Sequence, residues 1–330
     1  MRRILVVIVV ALLAGGCGST PRARGTPHAA KDATLVLDFT PNAVHAGIYS
    51  AVARGYDRDE GIRLHVIAPP ASSTSLALLQ AGRADFAILD IHDLAIADER
   101  GEGVVGIMAL VQRPLAAVIA APQIHNPREL QGHTVGVTGV PSDEAALSSI
   151  VAGAGGDPRR VNTVTIGFDA VAALLSRRVA AATAFWSDEG VTLAHRRPGF
   201  HVFRVDEYGA PSYPELLLCA KRSTFQAQPS VARAVVRALV RGYGLTVRDP
   251  ARSETDLETK APGLDGDLLD AKLRAVMPAF PAPDGTFGEL NSVRLRAWAR
   301  WEAAVGIVRK PPVLPKLFDP SFLPGAGVRS

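Results

Sequence analysis

Five short polar clusters hold most of the chemistry this chain can offer: Thr40-Pro41-Asn42 with His45, Ser72-Ser73-Thr74, Asp90-Ile91-His92-Asp93, Gly139-Val140-Pro141-Ser142-Asp143, and Trp186-Ser187-Asp188-Glu189. Asn42, Ser72, Ser73, Asp90, Ser142 and Glu189 exchange hydrogen bonds at short reach. Trp186 and Tyr213 offer flat faces, and Gly139 to Ser142 offers backbone amides. A flat heteroaromatic ring is best held by an aromatic face and a few directed hydrogen bonds in a cleft that excludes water, and this set of residues suits that task. It does not suit catalysis. There is no GxxxxGK[ST] loop, no G-x-S-x-G elbow, and no HExxH or i,i+4 pair among the eight histidines, so no cofactor or metal is expected. Gly153-Ala154-Gly155-Gly156 follows a helix and reads as its stop, and Cys219 in the run Leu216 to Ala220 reads as a small buried hydrophobe. Each candidate also has a plain structural role. Asn42, Ser72, Ser142 and Asp188 are suited to capping helices, His45 to packing in a core, and Trp186 to sealing a sheet end.

The clusters share a position. Strands are expected at Leu35–Phe39, Ile62–Ala68, Phe86–Leu89, Val104–Leu110, Ala116–Ala120, Thr134–Thr138, Thr163–Ile166, Ala182–Phe185, His201–Val205 and Glu215–Ala220, and every cluster follows one of them. Helices fit between, over Ala43–Arg54, from Ser72 or Ser73 to Gly82, and over Asp143–Ala152, Asp169–Arg177 and Asp188–Arg196. Such alternation predicts an α/β fold of parallel, doubly wound sheets, whose ligands lie beyond the carboxyl ends of the strands. Past Pro229 the pattern turns helical, over Val231–Val247, Leu264–Val276 and Leu290–Val305, and this last third should pack against the sheets.

With 330 residues, 48% of them hydrophobic, the chain has enough apolar material for two cores. Its formal charge of +4, about +2 without Arg2 and Arg3, is too small to argue for nucleic acid. Two cysteines allow no disulfide framework. Arg2 and Arg3, the apolar run Ile4 to Ala14, and Ala14-Gly15-Gly16 before Cys17 read as a secretory signal whose cysteine is lipidated. The run is too short to span a membrane. Gly18 to Ala33 then reads as a tether, which places the folded part outside the cytoplasmic membrane.

The stretch LDFTPNAVHAGIYSAVARGYDRDEGIRL, Leu37 to Leu64, resembles the N-terminal signature of solute-binding proteins that take up pyrimidine precursors of thiamine. The resemblance continues through LLQAGRADFAI, Leu78 to Ile88, GHTVGVTGVPSDEAAL, Gly132 to Leu147, AFWSDEG, Ala184 to Gly190, and DEYGAPSYPELLL, Asp206 to Leu218. It implies a type II periplasmic-binding-protein fold: two doubly wound lobes joined by two crossing segments, with ligand in the cleft. On that reading residues 1–16 are the signal peptide and 17–33 the tether. The first lobe is 34–120 plus 221–330 and the second 121–220, with crossings near Ala121 and Ala220. It further implies a monomeric lipoprotein serving the permease and ATPase of an ABC importer, with Asn42, His45, Ser72, Ser73, Asp90, Gly139, Ser142, Trp186, Glu189 and Tyr213 as ligand contacts. Riboflavin, or a sulfonate or nitrate, is the alternative ligand in relatives of this fold. Pyrimidine synthases also share the resemblance, but their cysteine cluster is absent here.

Overall fold

A computed structural model describes residues 30–70 and 74–325. Cys17, Ser72 and Ser73 lie outside the described residues, as do the expected signal peptide and most of the tether. Among these residues ten strands form two sheets: β1 (Lys31–Val36), β2 (Ile62–Ile67), β3 (Phe86–Asp90), β4 (Val104–Ala109), β5 (Ala116–Ala120), β6 (Thr134–Val137), β7 (Asn162–Thr165), β8 (Ala181–Phe185), β9 (His201–Arg204) and β10 (Leu216–Lys221). The first sheet runs β2-β1-β3-β10-β4 and the second β7-β6-β8-β5-β9. Inner strands read as unbroken apolar runs because helices cover both their faces: Phe86 and Ile88 of β3 join one core cluster, Ala87 and Leu89 another.

The first strand lies upstream of its expected place. It starts at Lys31, inside the expected tether, because its limits are set by in-register pairing of Lys31–Val36 with Ile62–Ile67 and not by its apolar residues. Leu37 to Phe39 are thereby released toward the sheet edge. A helix at Ile91–Glu99, absent from the sequence reading, follows β3 without a loop, since Asp90 ends the strand and caps the helix through His92 N at 2.8 Å.

Neither sheet is wholly parallel. β10 runs antiparallel to β3 and β4, and β5 runs antiparallel to β8 and β9. These are the first strands after each change of sheet. A segment leaving the carboxyl edge of one sheet for the other arrives at the carboxyl edge there, so its strand must run backwards. The changes of sheet fall at residues 110–115 and 205–215, not near Ala121 and Ala220, because β5 belongs to the second sheet and β10 to the first.

The C-terminal helices close the first sheet. Pro229–Arg248 packs on Ala46–Ala53 so closely that a Cβ on Gly242 would sit 1.9 Å from the Gly47 carbonyl oxygen, and one on Gly47 2.4 Å from the Tyr243 ring. Ser292–Ala304 packs its Trp298 and Glu302 under the helix that Asp90 caps. Among the described residues no helix is long and apolar enough to cross a membrane.

Candidate functional site

The carboxyl edges of the two sheets enclose a cavity of ≈ 220 Å³. From the first sheet come Asp38 and Phe39 just past β1, Asn42, Asp90 and Asp93. From the second come Thr138, Ser142 and Asp143, then Phe168 just past β7, and Phe185 and Glu189 at the end of β8. The rings of Phe39 and Phe168 meet across the cleft at 4.1 Å between centroids, tilted by 59°.

Local sequence explains how each side chain is held. Asn42 caps the turn Ala43–His45 by accepting Val44 N–H at 2.9 Å, and the Nδ1 of His45 accepts Asn42 N–H at 3.2 Å. That bond puts the neutral imidazole's proton on Nε2, which donates to Asp38 Oδ1 at 2.9 Å. His45 is therefore fully buried behind the cavity and positions Asp38, which lines it. Across the cleft, Asp93 accepts Ser142 N–H at 3.2 Å and its hydroxyl at 3.3 Å, which joins the two sheets' helices at the cavity. Lys272 from the C-terminal helices pairs with Asp188 beside Glu189.

Among the described residues, seven carboxyl groups line this space, from Asp38, Asp90, Asp93, Asp143, Asp188, Glu189 and Glu215, against one cation, Arg100. Burial pushes Glu189 up to about 8, helped by the charge of Asp188. Glu215 is raised to about 7 by burial against the opposing pull of the Leu115 and Ala116 N–H groups, and Asp93 to about 6, also by burial. Asp90 is held well above the ordinary carboxylate range by burial and by the neighbouring Glu215 and Asp93. Beneath it, His92 Nδ1 lies 2.6 Å from Glu302 Oε2 and Nε2 lies 3.0 Å from the Tyr213 hydroxyl. Burial opposes a charge on His92, but the carboxylates of Glu302 and Asp90 outweigh it and raise the imidazole to about 9.

Of the residues expected here, Asn42, Asp90, Ser142 and Glu189 line the cavity together. His45 and Gly139 do not reach it. Gly139 holds φ +103°, a conformation that favours glycine, in the turn before the helix Pro141–Gly153. The two expected aromatic faces lie elsewhere. Tyr213 is fully buried, bonded to His92 and stacked on Trp301 at 5.7 Å, because β10 reverses into the sheet just after it and draws it into the core. Trp186 turns toward the crossing segments. Its Nε1 donates to Pro114 O at 3.0 Å, its backbone N–H to Leu115 O at 3.1 Å, and Arg204 covers its ring at 4.4 Å. Phe39, Phe168 and Phe185 supply the apolar walls instead. Phe168 directly follows Ile166-Gly167 at a strand end, and the rule that selected the other clusters would have found it.

This arrangement defines the class: the two-lobed α/β fold of the type II periplasmic binding proteins, with one reversed strand in each sheet and the cavity between their carboxyl edges. The chain belongs to the NMT1/THI5-like family, which matches residues 42–253. The formylaminopyrimidine-binding protein of Halalkalibacterium halodurans is 27% identical over 292 residues, spanning 86% of this chain and 88% of that protein. The ligand-binding component of an ABC-type import system from Staphylococcus aureus shares the fold at TM-score 0.71 and 12% identity, over 88% of this chain and 97% of that one. The periplasmic nitrate-binding protein NrtA from Synechocystis PCC 6803 does so at TM-score 0.71 and 10% identity, over 89% and 87%.

Proposed function

We propose that this chain is the extracytoplasmic solute-binding lipoprotein of an ABC importer, anchored through Cys17, and that it captures a pyrimidine precursor of thiamine by closure of its two lobes. It acts as a monomer that delivers ligand to a permease and ATPase. The observation that carries the reading is the polarity of the cavity, with seven carboxylates and one cation around three phenylalanine rings. Such a lining offers a sulfonate or nitrate no positive charge beyond Arg100, while its carboxyl groups, neutral or ionised, suit a ring that carries amino donors. The helix N-terminus that could have offered amides to an anion, at Ser142, already gives its N–H to Asp93. A volume of ≈ 220 Å³ also lies below the roughly 300–1,000 Å³ of drug-sized sites, which favours one ring over the three fused rings of riboflavin. The similarity to a formylaminopyrimidine-binding protein points the same way.

The test is calorimetric titration of the mature protein with 4-amino-5-hydroxymethyl-2-methylpyrimidine, its formamido relative, riboflavin and an alkanesulfonate. Native mass spectrometry of material purified without denaturation should accompany it. Binding of a pyrimidine alone supports the assignment. Binding of riboflavin or the sulfonate in preference, or of none of the four, overturns it.

A further inference from the structure

Two contacts between the lobes straddle the cavity, one on each face of the sheets. Successive residues of a strand point to opposite faces, so the core clusters assign each helix to a face. In β5, Val118 and Ala120 share a cluster with Leu147 and Ile150 of the helix Pro141–Gly153, while Ile119 shares another with Leu193 of the helix Glu189–Arg196. In β3, Leu89 shares a cluster with Leu94 of the helix Ile91–Glu99, and Ile88 shares another with Leu269 and Leu273 of the C-terminal helix Gly266–Val276. Asp93 and Ser142 therefore meet on one face. On the other face, Lys272 of Gly266–Val276 pairs with Asp188 at the start of Glu189–Arg196. The side chains of this pair are only 19% and 10% exposed, whereas Arg196 and Asp265, 3.7 Å apart between the same segments, are both 52% exposed. Water and salt weaken the outer pair far more than the inner one. Asp188 lines the cavity, and Lys272 stands outside its lining. Burial and the charge of Asp188 raise the neighbouring Glu189, and Lys272 is the cation that opposes them.

We propose, resting on the binding function above, that Lys272 is a positioning residue for capture: its pair with Asp188 forms when the lobes close and sets how slowly bound ligand leaves, without touching the ligand. Lys272 stands on a helix whose Leu269, Leu273 and Val276 are buried in the first lobe, so its ammonium reaches Asp188 only where the two lobes are together. Opening the cleft returns both charges to water. The pair thus adds nothing to the open protein, and it acts on escape and not on entry.

Stopped-flow measurement with 4-amino-5-hydroxymethyl-2-methylpyrimidine separates the two rates. In Lys272→Met, which keeps the length of the side chain and loses its charge, the dissociation rate should rise about tenfold or more while the association rate stays within about threefold. Lys272→Arg, which keeps the charge, should preserve slow release. The unliganded Lys272→Met protein should melt at the wild-type temperature, which separates a closure contact from a strut that holds the lobes at all times. An unchanged dissociation rate in Lys272→Met overturns the proposal, and so does an unliganded melting temperature that falls as far as the liganded one. A wild-type protein that does not bind the pyrimidine overturns the binding function beneath it, a result distinct from unaltered release.

Discussion

Asp93 and Ser142 join the two halves of the protein: the carboxylate, on a helix of the first sheet, takes both the backbone N–H and the hydroxyl of a serine at the start of a helix of the second. Both residues line the cavity, so the contact bridges its two sides. Ser142→Ala removes one of the two bonds. A hydrogen bond of this kind contributes about 0.5–1.5 kcal/mol, so ligand affinity should fall roughly 2- to 10-fold. Asp93→Ala should lose more and should enlarge the radius of gyration of the ligand-saturated protein in X-ray scattering. Unaltered affinity in both variants would show that closure does not depend on this contact.

Trp186 should matter for the hinge and not for stacking. Its indole joins Pro114 of the first crossing to Arg204 at the end of β9, just before the second, and Arg204 and Arg113 both pair with Asp206 of that second crossing. Loss of the indole hydrogen bond and the cation–π contact should cost about 1–3 kcal/mol of stability in Trp186→Ala. Melting curves with and without ligand separate the roles. A lower melting temperature with a preserved ligand-induced rise is expected, whereas loss of binding at unchanged stability would restore the ring to the site.

Stability of the unliganded protein should rise as pH falls from 9 toward 5. His92 is raised to about 9 from an ordinary 6.5, so its stabilising contribution is complete below 6.5 and is lost as pH rises through 9. Glu189, Glu215 and Asp93, raised to about 8, 7 and 6, penalise the folded state once each must ionise, which acts in the same direction. His92 alone corresponds to about 3 kcal/mol at 1.36 kcal/mol per pKa unit. Differential scanning calorimetry across this range checks it. A melting temperature that is flat or climbs with pH would contradict the charged His92–Glu302 pair.

Gly242→Ala should be among the most damaging conservative changes available in the C-terminal helices. The added methyl meets the Gly47 carbonyl oxygen at 1.9 Å, and neither helix can withdraw without opening the core beneath the first sheet. Overpacking of this kind costs about 1–3 kcal/mol or more. Denaturant titration of the variant measures the loss, and a midpoint equal to wild type would mean that the helices yield freely.

Cys17→Ser should move the protein from the membrane fraction to the soluble fraction, because each buried CH₂ of an attached lipid contributes about 0.8 kcal/mol of anchoring. Persistence in the membrane pellet would argue against lipidation at that residue.

The sequence determined the alternation of strands and helices and the edge at which a ligand would lie. Apolar runs of four to six residues between capped helices depend on local pattern alone, and Asn42, Asp90, Ser142 and Glu189 could be selected because each follows a strand. The direction of β5 and β10 was not legible. It depends on the edge at which a crossing chain arrives, a relation between residues far apart in sequence. A reversed strand brings its start, not its end, to the ligand edge, which is why Glu215, just before β10, lines the cavity although no polar cluster follows that strand. The choice of aromatic walls was likewise tertiary. Trp186 and Tyr213 stand at suitable places in the chain, but the crossing segments claim one ring and the His92–Glu302 core the other, leaving the cavity to Phe39, Phe168 and Phe185.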